Sequence, residues 1–155
     1  MKYYLLTIMS LISTHFLFGG IDTVTASEQS YCSWEVKEFQ IKEPLCNLQG
    51  NVQRGRKLVI ERKKGNCLAC HKMPIPEQDF HGELGPNLAG VGARYPVGML
   101  RLQIVDEKQI NPATVMPGFY VKPASLQNVA RKYKGKTPLT AQEVEDVVAY
   151  LSTLK

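Results

Sequence analysis

Cys67-Leu68-Ala69-Cys70-His71 decides how this chain is read. It is a C-x-x-C-H run, the pattern by which a c-type haem is attached to a polypeptide. The chemistry dictates the spacing. Two thiols must add to the two vinyl groups on one edge of a porphyrin, so they sit a fixed short distance apart. The histidine follows at once, so that its imidazole reaches the iron from the same side.

Two other chemistries use a C-x-x-C pair. A redox dithiol belongs with a thioredoxin-like βαβ pattern, and no such alternation is visible here. A structural zinc site takes four Cys or His ligands in two clusters. Beyond the run, only Cys32, Cys46 and His81 remain after processing, with no second C-x-x-C and no H-x-x-x-H. Covalent haem is therefore the expectation, and the rival is a haem-free binding module.

At 155 residues the chain holds one small domain plus extras. Lys2 opens an apolar stretch that runs to Ile21, followed by the small residues Val24-Thr25-Ala26. Residues 1–26 read as a cleaved secretory signal. The alternative is a retained anchor, but Thr7, Ser10, Ser13, Thr14 and His15 interrupt the run, which is short for a membrane span. The expected mature protein is periplasmic and has no membrane span. Its formal charge stays at +5, because the signal contains one Lys and one Asp. That modest excess suits an acidic protein partner or an anionic substrate. No basic stripe with interleaved aromatics points to nucleic acid.

Export also changes the reading of Cys32 and Cys46. In an oxidising compartment a disulfide between them is expected, closing the arm over 27–50 into a loop. On the chain-entropy model a loop of this size contributes about 3 kcal/mol. An intermolecular bond or a metal is the alternative. The domain proper is expected over 51–155. A first helix is expected over Val52 to Lys64, ending in Arg62-Lys63-Lys64-Gly65. In the arm, the alternation of Trp34 and Val36 with Glu35 and Lys37 hints at an extended piece. Val97 to Val105 is apolar-rich, and periodicity does not choose between helix and strand. Asn111 to Pro123, with three prolines and a glycine, is loop. Thr140-Ala141-Gln142-Glu143 is a capping box. Val144, Val147, Val148, Leu151 and Leu154 then share one helical face, with Glu145, Asp146 and Ser152 on the other. A haem among these helices would supply much of the core, leaving the apo chain weakly folded.

The second axial position decides the redox chemistry. Met73 follows His71 too closely for two residues at about 3.5 Å each to carry the chain around a porphyrin edge. Met116 lies in Asn111-Pro112-Ala113-Thr114-Val115-Met116-Pro117-Gly118-Phe119, a proline-bounded loop able to drape across the far face. It is the expected sixth ligand; Met99, His81 or an open site are the alternatives. Met99 also reads as core packing, and an open site would suit an enzyme or gas sensor. In Gly85-Pro86-Asn87-Leu88, the Pro86 carbonyl is placed to accept the Nδ1 proton of His71 and fix its tautomer. An ordinary loop turn is the plainer alternative. Lys122, Arg131, Lys132, Lys134 and Lys136 suit either a docking face or a solvated basic surface.

Helix, C-x-x-C-H, Gly-Pro-x-Leu, Met-Pro loop and C-terminal amphipathic helix together resemble a class I cytochrome c over residues 51–155. That resemblance implies an all-α fold, helices wrapped around one covalent haem c, here with an N-terminal extension. Gly55 and Tyr150 would mark the crossing of its first and last helices. Residues 65–71, 85–92, 110–117 and 139–151 further resemble the SoxX family, the monohaem subunits of SoxAX complexes in sulfur oxidation. The Cys32/Cys46 pair is not placed by this resemblance. The resemblance implies a SoxA-like cytochrome as heterodimer partner, a SoxYZ carrier protein, and a small cytochrome c that takes the electrons away. It implies that thiosulfate chemistry occurs on the partner, within a complex acting as an L-cysteine S-thiosulfotransferase. On this chain Cys67 and Cys70 would be thioether anchors, and His71 and Met116 iron ligands, with no catalytic nucleophile or acid. The alternative is a free monohaem electron carrier.

Overall fold

The computed structural model describes residues 31–125 and 130–155, so the expected signal lies outside the described residues. Four α-helices form the described chain: α1 (Val52–Ile60), α2 (Val91–Arg94), α3 (Val97–Asp106) and α4 (Ala141–Thr153). Short 3-10 turns cover Leu45–Asn47, Cys67–Ala69 and Glu107–Gln109 among others. The described residues hold no named strand; Lys37 and Gln40 form a lone bridge around a turn in which Glu38 and Phe39 both take positive φ. The alternation at Trp34 and Val36 thus belongs to an extended arm, not to a sheet. The fold is all-α.

α4 is the centre of the molecule. Its capping box is formed in both directions between Thr140 and Glu143. Val144, Val147, Val148 and Leu151 are buried. α1 packs across α4, and α3 packs beside it. The crossing with α1 is set by Gly55: a Cβ there would stand 1.9 Å from the Asp146 carbonyl oxygen and 2.9 Å from the Tyr150 Cβ. Any side chain would force the helices apart.

The structure corrects or completes the sequence reading at three points. α1 stops at Ile60, not Lys64. Gly65 passes so close to α1 that a Cβ would meet the Leu58 carbonyl oxygen at 2.7 Å, and Asn66 turns left-handed with φ 49°. The chain has to fold back to seat the Cys67 turn against α1, and further helix would carry it away at 1.5 Å per residue. Second, Val97–Asp106 is helical. Leu100, Arg101, Leu102, Ile104 and Val105 are all buried, so the helix is covered on most sides and shows no amphipathic periodicity. Third, Glu145 and Asp146, on the face opposite the apolar one, are buried as well. They are 3% and 2% exposed.

Each of these two carboxylates has a cation from another element. Glu145 accepts from Arg101 Nε at 2.8 Å and Nη2 at 2.9 Å, and from the Leu45 amide at 2.9 Å. Arg101 also donates from Nη1 to the Ile41 carbonyl at 2.7 Å. The arm, α3 and α4 therefore meet at one ion pair. Asp146 accepts from Arg54 Nε at 2.6 Å, from the Asn51 amide at 2.7 Å and from Gln142 at 2.9 Å. Burial pushes its carboxyl up, but these hydrogen bonds and the Arg54 charge outweigh it and hold the carboxyl below the ordinary 3.8. A depressed folded-state value means the carboxylate stabilises the fold above the unfolded-state value. That contribution is lost as pH falls through the folded value. Denaturation midpoints of the wild type are expected to fall on acidification below roughly pH 4, and Asp146→Asn is expected to flatten that part of the profile. An unchanged profile in the variant would show that Asp146 does not contribute to it.

Candidate haem site

Cys67 to His71 form one tight turn. The amides of Cys70 and His71 both donate to the Cys67 carbonyl, at 3.1 and 2.9 Å. Positions three and four apart share a face of a helical turn, so both sulfurs and the imidazole are presented together. The following loop folds back onto this turn. Gly82 donates to the Leu68 carbonyl at 2.7 Å, Gly85 to Cys70 at 2.8 Å and Leu88 to Lys72 at 2.8 Å.

The imidazole of His71 is held on two sides. Its Nδ1 lies 2.8 Å from the Pro86 carbonyl oxygen. That oxygen can only accept, so Nδ1 carries the proton and Nε2 keeps its lone pair for a metal. Gly85 lies against the ring: a Cβ there would stand 2.3 Å from Cε1 and 2.6 Å from Nδ1. Arg94 braces the loop by donating to the Asn87 carbonyl at 2.9 Å and to that of Ala89. The Pro86 contact was legible in the sequence; the Gly85 contact and the Arg94 brace were not, because each depends on how the loop returns.

These residues fit a covalent haem and poorly fit the other two chemistries. Burial pushes the Cys67 thiol up to about 12, whereas a redox dithiol works through a thiolate at neutral pH. Among the described residues no three His, Cys, Asp or Glu side chains gather in a way that would hold a metal ion.

The candidates for the opposite axial position are spread through the structure. Met73 is buried in the core. His81 accepts the Met73 amide at Nδ1, 3.1 Å away, and its neighbour Gly82 is bonded to Leu68. His81 is thus tied to the backbone that carries His71, on the proximal side. Its Nε2 is enclosed and has no protein partner. Met99 is half-buried on α3. Met116 is half-buried at the edge of the core, in a loop without helix or strand, and its amide donates to Thr114 Oγ1 at 3.2 Å. Lys122, Arg131, Lys134 and Lys136 are exposed.

Cys32 and Cys46 are disulfide-bonded, with Cα atoms 5.7 Å apart. No described helix is long and apolar enough to cross a membrane.

A helical chain that presents two cysteines and a carbonyl-oriented histidine on one turn has the architecture of a class I cytochrome c. Residues 52–155 match the family model "Cytochrome c". Among solved structures, the chain is similar to a chain of the crystal structure of SoxXA from P. pantotrophus. The identity is 33%, the TM-score is 0.70, and the match covers 79% of this chain and 94% of that one. A comparison with curated protein sequences finds no match. The chain belongs to the cytochrome c family, as a SoxX-type class I member.

Proposed function

We propose that this chain is the periplasmic electron-transfer subunit of a SoxAX-type complex, which couples thiosulfate oxidatively to a cysteine of a carrier protein. The observation that carries this is the match to the SoxXA chain, 33% identical over 94% of its length. Cys67 and Cys70 would anchor one haem c through thioether bonds, and His71 and Met116 would be its iron ligands. When bound, that haem supplies a one-electron couple, poised towards higher potential by a thioether ligand. The protein's own residues do the rest. Pro86 and Gly85 fix the His71 imidazole.

A single one-electron site does not by itself carry out two-electron sulfur chemistry. The chain therefore works with a SoxA-like cytochrome on which thiosulfate reacts, and with a SoxYZ carrier. It accepts electrons and passes them to a small cytochrome c. Residues 1–26 direct export and are removed. The partner surface is the haem-edge side and the arm.

Two measurements test this. The mature chain should be heavier than its polypeptide by one haem, and should keep that haem through acid–acetone extraction. Loss of all haem would end the proposal. Affinity capture from the native periplasm should bring down a haem-bearing partner. The reconstituted mixture with a SoxYZ carrier should show thiosulfate-dependent reduction of this haem, while the isolated chain should consume no thiosulfate. A monomer with no such partner and no thiosulfate response would leave a free electron carrier.

A further inference from the structure

Tyr120 lies four positions after Met116 and is 3% exposed. Three groups of the N-terminal arm hold it. Its phenol oxygen accepts the Cys32 amide at 2.8 Å. Its carbonyl accepts the Trp34 indole N–H at 3.2 Å. Its ring stacks on that of Tyr31, with centroids 5.0 Å apart and planes 13° from parallel. The arm is itself firmly seated. The Cys32–Cys46 disulfide returns its start to the Leu45–Asn47 turn. That turn is held by the Glu145 carboxylate through the Leu45 amide, and Arg101 holds the Ile41 carbonyl.

The Met116 loop has little else to fix it. Its entry is bonded to the Glu107 carbonyl through the Ile110 and Asn111 amides. Its exit is bonded to α3 through Phe119 to Ile104 and Tyr120 to Val105, at 3.1 and 3.2 Å, and to the chain entering α4 through the Leu139 amide, which donates to the Phe119 carbonyl at 3.0 Å. In between, the bonds are local: Thr114 to Asn111, Ala113 to Asn111 and Met116 to Thr114. A loop with only local bonds takes its position from its stems. The exit stem is the one the arm grips.

We propose that the disulfide-closed arm is a latch on the sixth-ligand loop, with Tyr120 as the positioning residue, and that it sets how readily the iron exchanges its thioether for an external ligand. This rests on Met116 being the sixth ligand. The latch acts on the loop's position, not on any reacting atom. It restrains the opening that must precede ligand replacement.

The test is the rate at which imidazole binds the ferric holoprotein, read with the near-red thioether band. Tyr120→Phe removes the acceptor of the Cys32 amide and keeps the stacked ring. Trp34→Phe removes the donor to the Tyr120 carbonyl. Each is expected to raise the imidazole rate about fivefold, the factor a single part-buried hydrogen bond is worth. The Cys32→Ser/Cys46→Ser pair should raise it further. Asp146→Asn is the control, since it weakens the α1–α4 pair with Arg54 and lowers stability without touching the arm's contacts to Tyr120 or the stems of the Met116 loop. Rates within twofold of wild type in both single variants would overturn the latch. So would an equal acceleration in Asp146→Asn, which would make the effect one of global stability. A wild-type band that survives Met116→Ala would overturn the Met116 assignment, and the latch with it.

Discussion

Met116→Ala is expected to abolish the near-red charge-transfer band of the ferric protein and lower its reduction potential. It should also open the iron to added ligands. The band reports a thioether on ferric haem, and a bis-histidine site lacks it. Thioether ligation raises the potential, and axial ligands set haem potentials over roughly 0.8 V. Loss of the sixth ligand should therefore move the potential by a sizeable part of that range. Met116→His should lower the potential too, while restoring a six-coordinate iron. His81→Ala should leave the band intact, because His81 is bound to the Met73 amide on the His71 side. Ferric spectra and potentiometric titration of the three variants decide it. If Met116→Ala kept the band, the ligand would have to be sought at Met99.

The largest effect on stability is expected at Glu145, well away from the haem motif in sequence. Glu145→Ala would leave Arg101 charged and 4% exposed with no carboxylate, and would strip the acceptor from the Leu45 amide. Removing one partner of a buried pair costs about 3–5 kcal/mol, since the remaining charge cannot reach water. Replacing both partners, Arg101→Met with Glu145→Leu, should recover most of that, because two desolvated charges are exchanged for apolar packing of similar volume. Urea denaturation of the holoproteins measures both. A loss below about 1 kcal/mol in the single variant would mean that water or a rearranged side chain reaches Arg101. Because this pair also seats the arm, Glu145→Ala should weaken the grip on Tyr120 as well, and its imidazole rate should rise along with its loss of stability.

The two effects divide between what was legible in the sequence and what was not. The Cys67–His71 run and the capping box at Thr140 were legible because their partners lie within four residues. Short covalent spacing and helical geometry leave little freedom at that range. The Pro86 carbonyl was legible for a related reason, since a short loop returning to the motif has few places to go. The all-α class followed from the resemblance to class I cytochromes c, and the buried face of α4 from periodicity. Periodicity put Glu145 and Asp146 on the face opposite the apolar one, but could not show that this face is buried too.

Tertiary structure alone decided the remainder. A carboxylate reads as a surface residue until its cation is known. Arg101 is 44 positions from Glu145 and Arg54 is 92 from Asp146. The same holds for the arm, whose bonds to Tyr120 span 86 and 88 positions. Local pattern carries no record of such pairings, because they form only when helices that cross at Gly55 bring distant segments together. The chemistry of haem attachment is thus written in five consecutive residues. The setting of the loop that carries Met116 depends on contacts that exist only in the folded chain.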